Sequence, residues 1–379
     1  MKRTKHQAVH AIGASVAIGL FTSAGLAQPA FIPLGHLPGG DFSQATGVSH
    51  DGRYVSGNIT SAGGDLLPVI WDGTTANLLT VPAGFHGAYV NGISGDGRHA
   101  VALGLGAGGF QGIRWDASGT PTVLPTSPMT FSSFNTINYD GTAAGGFVNQ
   151  SFMGGSEAVV WTAGGGLQNI GYVPGGSEAS LTGVTGDGSR FVGYAHDPVR
   201  RPVSWDSTNG FQFLSSAPGS SGAGIAIRIA ADGSAIAGAL EFAGMLHPVV
   251  WDGSGTAQGI NLWSGYLAGE ARGVTNGGSI VVGNWLEDEF ADELRSLAFI
   301  WDAAHGARPL QDVLVGDYGL DLTGWTLNTV SHITPDGLTI VGAGLNPNGQ
   351  LEAFKIVIPA PGSLGVLALA GVVAGRRRR

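Results

Sequence analysis

The sequence predicts an all-β chain folded as a seven-bladed β-propeller, and three observations lead there. Six tryptophans, Trp71, Trp115, Trp161, Trp205, Trp251 and Trp301, follow one another at spacings of 44, 46, 44, 46 and 50 residues. A fixed period in this range is the signature of a repeat architecture. Asp-Gly or Asn-Gly pairs accompany the period, at Asp51-Gly52, Asp96-Gly97, Asp140-Gly141, Asp187-Gly188, Asp232-Gly233, Asn276-Gly277 and Asp336-Gly337. Between apolar runs such pairs signal hairpins. Finally, glycine makes up 66 of the 379 residues, a load that opposes long helices and suits short strands joined by tight turns.

Each unit holds four segments. The first is short and rich in small residues, as in Ala45-Thr46-Gly47-Val48-Ser49 and Val90-Asn91-Gly92-Ile93-Ser94. The Asp-Gly turn leads into the second, for example Ile280-Val281-Val282-Gly283. The third carries the tryptophan, as in Pro248-Val249-Val250-Trp251-Asp252, and the fourth is looser, as in Phe211-Gln212-Phe213-Leu214. Four short antiparallel strands every 45 residues or so describe a propeller blade. The seventh unit runs from Leu327 to Ile358, places Phe354 in the tryptophan slot 53 residues after Trp301, and stops without a fourth strand. An unassigned apolar segment, Phe31 to Leu37, precedes the first unit. If it completes the last blade, the ring closes and no free sheet edge remains to invite aggregation.

The tryptophans and Phe354 therefore read as packing between neighbouring sheets. The Asp-Gly pairs read as turns, since no Asp-x-Asp-x-Asp-Gly calcium loop occurs.

The two ends carry export patterns. Lys2, Arg3 and Lys5, an apolar run from Ala11 to Leu20, and Gly25-Leu26-Ala27 form a signal peptide over residues 1–27, with cleavage by signal peptidase after Ala27. The propeller is expected over 28–358. Residues 359–379 contain Pro359-Ala360-Pro361, an apolar stretch from Leu364 to Gly375, and Arg376 to Arg379. Twelve apolar residues make a short span, and terminal arginines suit the cytoplasmic side of an inner membrane. This tail resembles the PEP-CTERM sorting signal of Gram-negative-type bacteria, with Ala360 in place of the glutamate. The resemblance implies an exosortase-like sorting enzyme as partner, transient membrane contact through the tail, and a destination at the cell surface or in the extracellular matrix.

Outside these ends 11 basic residues face 27 acidic ones, a net charge of −16. That excludes nucleic acid as a natural partner. The absence of cysteine excludes thiolate catalysis and cysteine-held metal centres.

The third segments Leu297-Ala298-Phe299-Ile300-Trp301 and Glu352-Ala353-Phe354 make the chain similar to the HAF-type extracellular repeat. That family is named for a His-Ala-Phe triplet; no unit here has it complete, and His247-Pro248-Val249 matches its first position. The resemblance implies a secreted or surface propeller with no established activity. The Trp-Asp pairs also give a likeness to WD40 repeats, in architecture only.

Function on a propeller sits where the period stretches. One excursion, between the second and third strands of unit six, holds Trp285, Glu287, Asp288, Glu289, Asp292 and Glu293. The other, leading into unit seven, holds Asp312, Asp317, Tyr318, Asp321 and Trp325. Together they are expected to form an acidic rim with aromatics, suited to a basic or sugar-like ligand, or to calcium at Asp317 and Asp321. No other cofactor is implied. No His-Glu-x-x-His or Gly-x-Ser-x-Gly occurs, and the Gly-x-Gly-x-x-Gly at Gly104, Gly106 and Gly109 leads into a strand and not a helix. The sequence thus favours a monomeric binding module for extracellular polysaccharide or surface proteins. The alternatives are a polysaccharide-cleaving hydrolase or lyase using rim carboxylates, and a purely structural envelope component.

Overall fold

Blade 1 shows how the sequence builds each sheet. Ser43–Val48 forms the innermost strand, Tyr54–Thr60 the second, Leu66–Asp72 the third and Thr75–Leu78 the outermost, all antiparallel. The pattern recurs in seven four-stranded sheets of the computed structural model, which describes residues 28–124, 131–149, 155–288 and 293–358. The expected signal peptide and sorting tail, as well as Glu289 and Asp292, lie outside the described residues. The innermost strands are Ser43–Val48, Phe85–Ile93, Phe131–Ile137, Glu178–Val184, Gly224–Ile229, Ala268–Val274 and Thr326–Ile333. They surround a central channel.

The N-terminal strand, Ala30–Pro33, pairs antiparallel with Leu351–Val357 and becomes the outermost strand of blade 7. Leu34 N–H extends this pairing to Ala353 O at 2.9 Å, and Gly35 N–H donates to the Glu352 carboxylate at 3.0 Å. The ring is closed as expected from the unassigned apolar segment.

The tryptophans pack inward against the preceding blade. Trp71, Trp115 and Trp251 are fully buried and Trp301 nearly so. Trp71 joins Val341 and Ala353 of blade 7, Trp115 joins Ile70 of blade 1, and Trp251 joins Val192 of blade 4. The indole N–H groups of Trp115 and Trp251 donate across the same gaps, to Thr80 O and Ser215 O, each at 2.8 Å. Trp161 and Trp205 are half-buried; the Arg114 guanidinium lies over Trp161 at 4.4 Å, and Phe191 meets Trp205 edge-on at 5.9 Å.

Phe354 is not in the tryptophan slot. It pairs with Gly342, as Phe299 pairs with Gly283, whereas Trp301 pairs with Val281 and its counterpart opposite Ile340 is Ile356. Phe354 is fully buried in the core, but two residues earlier along the strand than the ruler implies. The Ala-Phe pair that precedes Trp301 recurs in blade 7, while the tryptophan itself has become isoleucine.

Every innermost strand carries a one-residue bulge, at Thr46, Asn91, Asn135, Thr182, Ile227, Arg272 and Ser331. A bulge bends its strand and presses a carbonyl toward the second strand. Six of the seven blades answer with glycine, at Gly57, Gly146, Gly193, Gly238, Gly283 and Gly342, where a Cβ would lie 1.9–2.1 Å from that carbonyl oxygen. The Val-Gly pattern of the second segments is the sequence trace of this contact.

The Asp-Gly hairpins are four-residue loops. In blade 1 Ser49 N–H bonds Tyr54 O at 2.9 Å around His50 to Arg53, Gly52 takes φ of 70°, and the Asp51 carboxylate accepts from Arg53 N–H at 3.0 Å and Ser49 Oγ–H at 2.6 Å. The first loop residue reaches the next blade: His50 N–H bonds Gly95 O, Tyr139 N–H bonds Gly186 O, and Gly186 N–H bonds Ala231 O. These bonds lace a floor across one end of the channel.

Candidate functional site

The opposite face of the ring carries the blade-to-blade connectors and the loops between second and third strands. Its most developed region lies over blades 5 to 7. Here the second strand of blade 6, Ile280–Leu286, brings Trp285 against the connector that arrives from blade 5. Leu267 N–H in that connector bonds Leu286 O at 3.0 Å, which stitches the two together.

Trp285 is fully buried and cannot serve as a rim aromatic. Its ring stacks on Phe299 at 4.9 Å and 28° below, and on Trp263 at 5.7 Å and 22° above. Its indole N–H donates to Asn261 O at 3.1 Å. The three rings form a column rising from the sheet to the surface, where Trp263 is 42% exposed. The correction follows from register: Trp285 is a strand residue paired with Leu297, on the face that packs against blade 5, so the loop it was assigned to begins after it. Trp263 is the residue that sequence reasoning missed. Of the nine tryptophans, three stand off the 44–50-residue ruler, Trp263, Trp285 and Trp325, and the exposed one lies in the connector whose length did not draw attention.

The residues that lead into Trp263, Gly259, Ile260, Asn261 and Leu262, line a hollow of about 530 Å³ with Phe242 and His247. The rings of Phe242 and His247 meet at 5.1 Å, and burial lowers the His247 pKa, which keeps its imidazole neutral near pH 7. Tyr266, whose N–H bonds Trp263 O at 3.1 Å, has its ring 6.4 Å from Trp285, and its hydroxyl pKa is raised by burial and then by the neighbouring Glu287 carboxylate. Glu287 is exposed, and its N–H bonds Arg295 O at 3.2 Å. Asp288 pairs with Arg295 at 2.8 Å. Glu293 opens the short 3-10 turn, Glu293–Arg295, that returns the loop to the third strand.

The second excursion is a structural cap. It contains the one α-helix among the described residues, α1 (Leu310–Gly316), with Asp312 in its first turn. Leu310, Val313 and Leu314 of α1 bury into the core of blades 6 and 7 with Leu322. Asp317 caps the helix and pairs with Arg308 at 2.9 Å. Tyr318 is half-buried, its hydroxyl pKa pushed up by burial and by Asp317. Exposed Asp321 accepts from Thr323 N–H at 3.0 Å and Thr323 Oγ1–H at 2.6 Å, bonds that hold its own turn and keep its pKa low. Trp325 is half-buried, edge-on to Phe31 at 4.8 Å and 72°, and so clamps the closing N-terminal strand. Asp317 and Asp321 are each committed to a separate local partner. Among the described residues no three His, Asp or Glu side chains converge to hold a metal ion.

The site that emerges is therefore narrower than the expected rim. It consists of the Trp263 platform, the hollow beside it, and the carboxylates of Glu287 and Asp288.

No family model and no curated protein matches the chain. Solved structures do. The chain is similar to an oligogalacturonate lyase from Vibrio parahaemolyticus, with 14% identity over 88% of this chain and 98% of that one and a TM-score of 0.56. It is similar to the β-propeller domain of the Trilobed protease from Pyrococcus furiosus, with 12% identity over 72% and 81% and a TM-score of 0.50. That domain is described as having an open velcro topology, in contrast to the closure made here by Ala30–Pro33. A putative TolB from Agrobacterium tumefaciens shows 17% identity over 76% and 95%, with a TM-score of 0.46. At such identities what is shared is the propeller fold.

Proposed function

We propose that this protein is an exported binding propeller of the bacterial cell surface or extracellular matrix, and that it takes a neutral polysaccharide at the Trp263 face. The observation that carries the reading is the ring column. A surface tryptophan is held flat by two buried rings beneath it, so its exposed face is fixed before any ligand arrives, and a preorganised contact loses little entropy on binding. An indole face is apolar and electron-rich and suits the C–H face of a sugar ring, while carboxylates accept hydrogen bonds from sugar hydroxyls. The acidic body disfavours polyanionic glycans. Export is supported by the signal-peptide pattern at 1–27 and the PEP-CTERM-like pattern at 359–379.

The test is affinity electrophoresis or calorimetry with neutral and acidic polysaccharides, using the mature protein and Trp263→Ala. Retardation by a neutral glycan that the variant loses supports the reading. Absence of retardation by any glycan, or equal retardation of the variant, removes it.

A further inference from the structure

The central channel holds a second, unrelated feature. The residue that follows the bulge in each innermost strand differs between blades. Around the ring these residues are Gly47, Gly92, Thr136, Gly183, Arg228, Gly273 and His332. Four blades have glycine there, where a Cβ would meet the second strand of the same blade and the innermost strand of the next, and two blades carry basic side chains. Arg228 and His332 line one cavity of about 60 Å³, whose floor is the laced ring of His50, Gly95, Tyr139, Gly186 and Ala231. About 10–15 Å³ suffices for one water, so the cavity accommodates a small ion and not a sugar.

The cavity is electrically unbalanced. Arg228 Nη1 donates to Thr182 O at 3.1 Å, but its buried Nε has no hydrogen-bond partner, nor has the buried Nδ1 of His332. Among the described residues no carboxylate pairs with Arg228, and the charged group that acts on it is Arg272, of like sign. Arg272 is itself paired with Glu270 at 2.7 Å. A half-buried guanidinium whose Nε is out of water and without a counter-charge is costly, and it occurs here in a body that carries 27 carboxylates. Buried polar atoms without partners call for an ion or water that satisfies them.

We propose that Arg228 and His332 form an anion site in the channel, for a small free carboxylate of formate or acetate size. The guanidinium edge that carries Nε matches a carboxylate's two oxygens, and imidazole Nδ1 donates to it once protonated. The bound ion then ties blade 5 to blade 7 across the axis.

Protonation couples to binding with a defined sign. An anion beside His332 favours the imidazolium, so binding takes up a proton and tightens as pH falls. The groups that face His332 are Arg228 from blade 5 and His50 from blade 1, and His50 itself feels Asp51 and Asp336. The first two oppose its protonation in the empty cavity.

The experiment is a formate titration of the mature protein at constant ionic strength, with a bulky sulfonate as the balancing anion. Binding is read by calorimetry and by saturation transfer from ¹³C-formate, with melting temperature as a third readout. Wild type should bind, melt progressively higher with formate, and bind at least about threefold more tightly at about pH 5.5 than at about pH 7. Arg228→Met should weaken binding by at least about tenfold, and His332→Gln should bind without the pH dependence. Absence of saturation transfer and of any melting shift in wild type overturns the proposal, whatever the variants do. Unchanged formate affinity in both variants overturns it equally.

Discussion

Asn284 grips both backbone polar groups of one residue in the next blade: its Oδ1 accepts from Val330 N–H at 2.7 Å and its Nδ2 donates to Val330 O at 3.3 Å. Asn284 sits on the second strand of blade 6 and Val330 on the innermost strand of blade 7, two sheets that share no ladder. A side-chain amide thus supplies a hydrogen-bonded splice between blades, and Asn58 makes the donor-accepting half of it to Val90 N–H at 2.9 Å between blades 1 and 2. Asn284→Leu leaves a buried N–H without a partner. It should cost about 1–3 kcal/mol, measured as a lower urea midpoint with unchanged slope. A loss below a few tenths would show that the splice contributes little.

The tryptophans divide by role. Trp251→Ala, at a fully buried position, should cost about 3–5 kcal/mol. Trp263→Ala should cost about 1 kcal/mol or less while abolishing glycan retention. Equal destabilisation by the two would mean that Trp263 is packing and not a platform.

Glycines divide in the same way. A Cβ on Gly283 would meet Glu270 O at 2.1 Å and the Phe299 ring at 2.7 Å. Neither backbone nor stacked ring can retreat, so Gly283→Ala should cost about 3 kcal/mol or more. Gly306, with φ of 71°, has open space around it, so its alanine variant pays for the backbone conformation alone, about 1–2 kcal/mol. Thermal unfolding of the pair separates steric exclusion from backbone preference.

Acid should weaken the fold through its histidines. Burial lowers the pKa of His332 well below the ordinary value, with help from Arg228 and His50, and burial also lowers His50, His99 and His247. These groups stay neutral in the folded chain at pH values where the unfolded chain binds protons. Stability is therefore at its full value above about pH 6.5 and falls as pH drops below it toward the depressed folded pKa values. In formate-free buffer His332→Gln should flatten part of that decline in melting temperature, and an unaltered slope would assign it to the other three.

Much of the fold was legible because the contacts that build a blade repeat and leave residue-specific traces. Bulge and facing carbonyl select glycine, the four-residue hairpin selects Asp-Gly, and the inter-blade gap selects tryptophan. Blade 7 misled because the Ala-Phe pair survives at Ala353-Phe354 while the slot two residues on holds Ile356. The acidic excursions misled for a different reason: Asp288 and Asp317 are answered by Arg295 and Arg308 from nearby in the same chain, and linear spacing does not reveal that pairing. The channel residues were visible as departures from the glycine at Gly47, Gly92, Gly183 and Gly273. What they face becomes clear only when seven strands are brought round one axis.

The closure of blade 7 also dictates an order of assembly. Gly35 and Glu352, bonded at 3.0 Å, are separated by 317 residues, whereas every other blade is complete within one repeat. Drawing the chain into a loop of that length costs about 2 kcal/mol more than closing one repeat, and it cannot begin until the last strand exists. As the chain is made from its N-terminus, the first strand stays without its ladder partner until Leu351–Val357 is in place. Ring closure is then the last pairing the propeller can make.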